Sequence, residues 1–127
     1  MNLNELFGYN GKRVAVARGQ AIFSAGDHGH VMYVVMTGVV DLFVGDELVE
    51  HAEVGTMFGE MALISDEPRT ATAIAVTDCE LVTIDTQQFY SLVQQAPPFA
   101  TKVMKIMADR LRRMNRRMLD NVAGDET

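Results

Sequence analysis

Between Arg13 and Asp85 the chain is broken into short apolar runs by turn residues, and this rhythm limits the possible folds more than any other feature. Short runs such as VAVA (Val14–Ala17), VMYVVM (Val31–Met36), VVDLFV (Val39–Val44), ELVEHA (Glu47–Ala52) and CELVTI (Cys79–Ile84) are separated by Gly26-Asp27, Thr37-Gly38, Gly45-Asp46 and Gly55. Many short strands with glycine at the corners predict a sandwich, a barrel or a jelly roll. After Asp85 the pattern changes. Asp85 with Gln88 has the spacing of a capping box and predicts a helix through about Gln94. Pro97-Pro98 interrupts it, and Pro98 suits the first turn of a second helix running to about Asn121, with Gly124–Thr127 a frayed tail. The sequence shows no internal repeat, low-complexity tract or flexible linker.

A chain of 127 residues, 48% of them hydrophobic, is expected to form one domain around one core. The start, MNLNELFGYNGKR, carries no apolar stretch of signal-peptide length. The longest apolar run, Val31–Val40, is interrupted by Thr37 and Gly38 and falls far short of the ~20 residues of a membrane helix. The single cysteine, Cys79, excludes an internal disulfide and suits a reducing compartment. A soluble, cytoplasmic protein without membrane insertion is therefore expected. The net charge of −6 is unevenly spread: basic residues concentrate from Lys102 onward. That basic segment could suggest nucleic acid, but its charges fall on one amphipathic helix, where they form a solvated face. No direct DNA binding is expected.

Residues Phe58–Ala73 read FGEMALISDEPRTATA, which sets a carboxylate and a guanidinium within an apolar β domain. Breaking a buried charge pair costs about 3–5 kcal/mol. Glu60 and Arg69 must therefore be exposed, paired with each other, or paired with a ligand. Gly59 permits close approach to the backbone. Glu60–Ile64 can form one helical turn, whose free N–H groups face an anion. Arg69 can grip two phosphate oxygens in a bidentate manner. Glu60 cannot bind a phosphate but can accept a hydrogen bond from a sugar hydroxyl. Ala71, Ala73 and Ala75 would share one strand face and leave a hollow beside the turn. An anion grip, a hydroxyl acceptor and a hollow describe a ribose-phosphate site.

FGEMALI followed by Pro68-Arg69-Thr70-Ala71-Thr72 resembles the phosphate-binding cassette of the cyclic-nucleotide-binding domain family. That family includes catabolite-activator-type transcription factors, cyclic-nucleotide-dependent kinase regulatory subunits and cyclic-nucleotide-gated channels. Gly26, the MYVVMTG segment ending at Gly38, and Gly55 fall where the family places its β-roll glycines, and two C-terminal helices fit as well. The resemblance implies a mainly β fold: an antiparallel β-roll (double-stranded β-helix or jelly roll) with flanking and C-terminal α helices. Its parts would be an N-terminal segment over 1–12, the β-roll over 13–85 with its cassette at 58–73, and the helices over 86–122. The implied ligand is a cyclic purine nucleotide, cAMP in preference to cGMP, with no further cofactor. Its site would comprise Phe58, Gly59, Glu60, Met61, Ala62, Arg69, Thr70 and Ala71. Glu60 would bind the ribose 2′-hydroxyl. Arg69 and the amides near Met61 and Ala62 would bind the cyclic phosphate, and Thr70 the phosphate or the purine. Residues of the last helix cap the purine in this family, which points by position to Asn115 and Met114, then Arg110 and Arg113. Transcription-factor members continue into a helix-turn-helix domain that these 127 residues do not contain. A standalone module acting on an unknown protein effector in trans is the expectation.

In the last helix Met104, Met107, Leu111, Met114, Met118 and Asn121 alternate spacings of three and four, a heptad seam. Val103 and Ile106 are expected to pack on the β domain. The resemblance to catabolite-activator-like proteins implies a homodimer through Met107, Leu111, Met114 and Met118. Two rival functions remain. One is a ligand-free dimerisation or scaffold module of the same fold. The other is a cupin-like metalloenzyme using His28 and His30, which are spaced like metal ligands. Against the second, no carboxylate follows within VMYVV and His51 lacks the expected context, so two loop histidines and no metal is the simpler reading. No Ser-His-Asp signature or Gly-rich phosphate loop is present, and no catalytic activity is expected.

Overall fold

The computed structural model describes residues 12–125, and side chains as far as Asp120. The expectations for the N-terminal segment up to Gly11, for the Asn121 side chain and for the last two residues lie outside the described residues. The strands are β1 (Lys12–Val16), β2 (Ala21–Phe23), β3 (Val31–Thr37), β4 (Val40–Val44), β5 (Glu47–Ala52), β6 (Met57–Phe58), β7 (Thr72–Ala75) and β8 (Cys79–Asp85). A single helical turn, α1 (Met61–Ile64), separates β6 from β7, and α2 (Thr86–Gln95) and α3 (Pro98–Asp125) follow β8. Two four-stranded antiparallel sheets form, ordered β1-β8-β3-β6 and β2-β7-β4-β5. This is the expected β-roll with C-terminal helices.

The sheets enclose one core of Phe23, Val35, Val40, Leu42, Ala52, Phe58, Ala73, Ala75, Cys79 and Leu81. A second cluster on the other face of the first sheet joins Met32, Val34, Met57, Val82 and Ile84 to Leu92, Phe99 and Val103 of the helices. Strands β3 and β8 are thus covered on both faces. Their runs VMYVV and LV are for that reason continuous rather than alternating, as burial on two sides requires. Phe99 is fully buried, a contribution of about 1.5–3 kcal/mol for one large side chain. Val103 is buried and Ile106 packs against the same cluster, as the helical pattern predicted.

The start of α2 carries the expected capping box. The Asp85 carboxylate accepts from the Gln88 amide at 2.8 Å, and the Gln88 side chain accepts from the Asp85 amide at 2.9 Å. Helix α3 runs on to Asp125, past the predicted end near Asn121. No proline follows Pro98, and a lone Gly124 costs only about 1 kcal/mol in a helix. Strands β2 and β6 escaped sequence reading because three and two residues are too few to show a period.

Candidate functional site

The site begins where β6 ends. Gly59 adopts φ +77°, a left-handed conformation that turns the chain sharply out of the sheet. Glu60 becomes the N-cap of α1 and its side chain is directed inward rather than to solvent. The Ala62 amide donates to the Gly59 carbonyl at 3.2 Å, closing the turn. After α1 the chain returns along Ser65–Thr70 to β7. Arg69 is pinned through its backbone: its amide donates to the Asp27 carbonyl and its carbonyl accepts from the Gly26 amide, each at 2.8 Å.

The Arg69 side chain is buried and engaged by uncharged groups. Its Nη1 donates to the Gly59 carbonyl at 2.9 Å and its Nη2 to the Val31 carbonyl at 2.7 Å. Its Cζ lies 4.2 Å from the centre of the Phe23 ring. Its buried Nε has no acceptor, and among the described residues it forms no salt bridge. Burial pushes the Arg69 pKa down from its ordinary value, while Tyr33, Glu60 and Asp27 act in the opposite direction. Among the described residues no carboxylate is bonded to this guanidinium. Such a group is costly to keep unpaired, and its chemistry suits an anionic partner.

Glu60 is paired, but with neither Arg69 nor solvent. Nη1 of Arg110, on α3, donates to both Glu60 carboxylate oxygens at 2.9 and 3.1 Å. The same guanidinium donates to the Glu50 carboxylate and to the Met57 carbonyl. Arg113 adds a 2.7 Å bond to Glu50, and Arg117 donates to the Leu48 carbonyl. An ionic ladder thus fastens α3 to β5 and to the cassette.

Beside these groups is a cavity of about 310 Å³, within the size range of small-molecule sites. Phe58, Gly59, Glu60, Met61, Ala62, Arg69, Thr70 and Ala71 all line it, with Leu42, Val44 and Val49 as an apolar wall. From α3, Arg110 and Met114 reach it. Asn115 and Arg113 do not: Asn115 is exposed and Arg113 is held at Glu50. Arg110 and Met114 are four residues apart and share one helix face, whereas Arg113, three residues from Arg110, is drawn to Glu50 beside the cavity. Ala71 borders the hollow, whereas Ala73 and Ala75 fill the core between the sheets.

Along the seam, Leu111, Met114 and Met118 are 59%, 47% and 67% exposed, whereas Met107 packs against its own helical cluster. His28 and His30 are exposed, and among the described residues no three His, Cys, Asp or Glu side chains converge to hold a metal ion. The sequence reading missed Phe23, Val31 and Gly29 around Arg69, and Glu50 beside Arg110. The glycine between two polar histidines was the one visible hint, since it permits close approach of another group. Among the described residues no helix is long and apolar enough to cross a membrane.

A family model described as the cyclic nucleotide-binding domain matches residues 13–96. A cAMP-dependent protein kinase regulatory subunit of Eremothecium gossypii is 43% identical over 74 residues, covering 58% of this chain and 16% of that protein. The chain is thus similar to a small part of that relative. The crystal structure of the Thermus thermophilus catabolite activator protein superposes with a TM-score of 0.78 at 29% identity, over 95% of this chain and 58% of that one. A structure from a cyclic-GMP-dependent signalling pathway that regulates bacterial phytopathogenesis is 34% identical. It has a TM-score of 0.66 and covers 94% of this chain and 95% of its own.

Proposed function

The chain belongs to the cyclic nucleotide-binding domain family, and from that premise we propose that it binds cAMP in preference to cGMP and signals by changing the placement of α3. The family is one of regulatory rather than catalytic domains. The observation that carries the reading is Arg69: a buried cation lining the cavity, with an acceptor-free Nε and, among the described residues, no carboxylate partner. A cyclic phosphate supplies the missing anion, Glu60 takes the ribose hydroxyl, and the purine lies along Leu42, Val44 and Val49 under Met114.

The route to α3 runs through Glu60. Arg110 holds this carboxylate through a single Nη1 bonded to both oxygens, which leaves each oxygen a further acceptor site. A ribose hydroxyl accepted by Glu60 draws on the same carboxylate charge that holds Arg110, so the nucleotide shifts the balance between placements of the helix. Leu111, Met114 and Met118 are then the surface on which a second copy docks, and an effector acting in trans reads the result. The cAMP preference is supported by likeness to a cAMP-dependent kinase regulatory subunit. The second reading, cGMP, is favoured by likeness to the cyclic-GMP pathway structure and by the hydroxyl of Thr70 at the cavity.

Calorimetric titration with both nucleotides tests the proposal. Micromolar or tighter binding is expected, about −8 kcal/mol or better. Arg69→Ala is expected to fold and to lose ~2–5 kcal/mol of affinity. Equal binding by Arg69→Ala and the parent would overturn the phosphate role.

A further inference from the structure

Gly29 lies in the loop between β2 and β3, between two exposed histidines and away from the cassette in sequence. A Cβ built on Gly29 would fall 2.5 Å from Nε and 2.6 Å from Cζ of Arg69. Gly59 approaches the same guanidinium from another side, where a Cβ would meet Nη1 at 2.8 Å. The Phe23 ring lies 4.2 Å from Cζ. Together these groups form a slot that the planar guanidinium fills, with the Gly59 and Val31 carbonyls fixing its rotation.

The two glycines differ in what they supply. Gly59 has a positive φ, so its replacement would strain the backbone whatever the space. Gly29 is not among the glycines of positive φ. An alanine there meets no backbone penalty. Its methyl group conflicts with the far end of one flexible side chain, and the guanidinium can yield by moving. Restoring ordinary contact from 2.5 Å requires a shift of about 1 Å.

We propose that Gly29 is a positioning residue for nucleotide binding: the absence of its side chain sets the plane of the Arg69 guanidinium that receives the cyclic phosphate. The inference rests on the reading of Arg69 as the phosphate grip. It assigns a binding role to the HGH segment, where the sequence suggested only metal ligands or plain loop. Placement by glycine, ring and carbonyls leaves the guanidinium charge uncompensated, whereas placement by a carboxylate would have neutralised it.

The test uses Gly29→Ala alone and combined with Arg69→Lys. An ammonium lacks the planar fork and does not fill the slot. In the parent background Gly29→Ala is expected to weaken the bound nucleotide about ten-fold or more, since ångström-scale misplacement of a binding group is costly. In the Arg69→Lys background it is expected to change affinity less than two-fold, roughly the limit of additivity for uncoupled sites. A steric defect acting through the fold would instead cost the same factor in both backgrounds, and that result overturns the proposal. The Nε–H resonance of Arg69 in the ligand-free proteins gives an independent reading. It should be protected from solvent exchange in the parent and lose protection in Gly29→Ala. Loss of protection without nucleotide binding by the parent would keep the slot and reject the phosphate role. Parent-like affinity and protection in Gly29→Ala would reject the slot and leave the phosphate role standing.

Discussion

Replacing Arg110 with alanine should destabilise the ligand-free protein more than the loss of one exposed helix side chain would. The Arg110, Glu60 and Glu50 side chains are only 16%, 11% and 9% exposed, and the guanidinium is shared between the two carboxylates. Glu50 keeps a second partner in Arg113. Glu60 has no other salt bridge among the described residues, so the loss falls on that carboxylate. Removing one partner of a buried pair costs about 3–5 kcal/mol. The cavity beside Glu60 gives water some access, which favours the lower end, ~3 kcal/mol. For a chain of this size each kcal/mol moves the melting temperature by roughly 4 °C, so a fall of about 12 °C is expected. Thermal unfolding followed by circular dichroism reads it directly. Adding Glu60→Gln to Arg110→Ala removes the stranded charge and should recover most of the loss. Saturating nucleotide should also narrow the gap if, as proposed, the ribose hydroxyl donates to Glu60. A fall of under about 2 °C, or a double variant no more stable than Arg110→Ala, would refute the ionic account of how α3 is held.

Thr70→Ala should weaken cAMP and cGMP alike, by ~1 kcal/mol, since one hydroxyl hydrogen bond to the phosphate is lost; calorimetry showing loss of cGMP alone would assign Thr70 to the guanine amino group and make cGMP the ligand. Leu111→Glu combined with Met118→Glu should convert a dimer to a monomer in sedimentation, by setting like charges across the seam. A parent that sediments as a monomer at high concentration would remove the dimer from the mechanism.

Strands β1, β3, β4, β5 and β8 were legible because five to seven residues are enough to show burial, and glycines mark corners between them. The capping box at Asp85 was legible because both partners lie within one helical turn. The cassette was legible in part, since Gly59, Glu60 and Arg69 lie close in sequence and their chemistry limits what they can bind. It was not apparent that Glu60 is held by Arg110, and Arg69 by no acid among the described residues. The partner of a charge is whichever group the fold brings to it, and Arg110 comes from a helix far along the chain. The same holds for the cavity wall: periodicity marks one apolar face on α3, but only the docking of the helix brings Arg110 and Met114 to the cavity. Gly29 is the clearest case. In sequence it is a glycine between histidines, and only when β2, β3 and the cassette come together does the missing side chain become the space that the Arg69 guanidinium occupies. Periodicity, caps and turn residues act through neighbours a few positions apart and can be read in one dimension. Charge pairing and steric fit act through distances that exist only once the sheets have closed and α3 has docked.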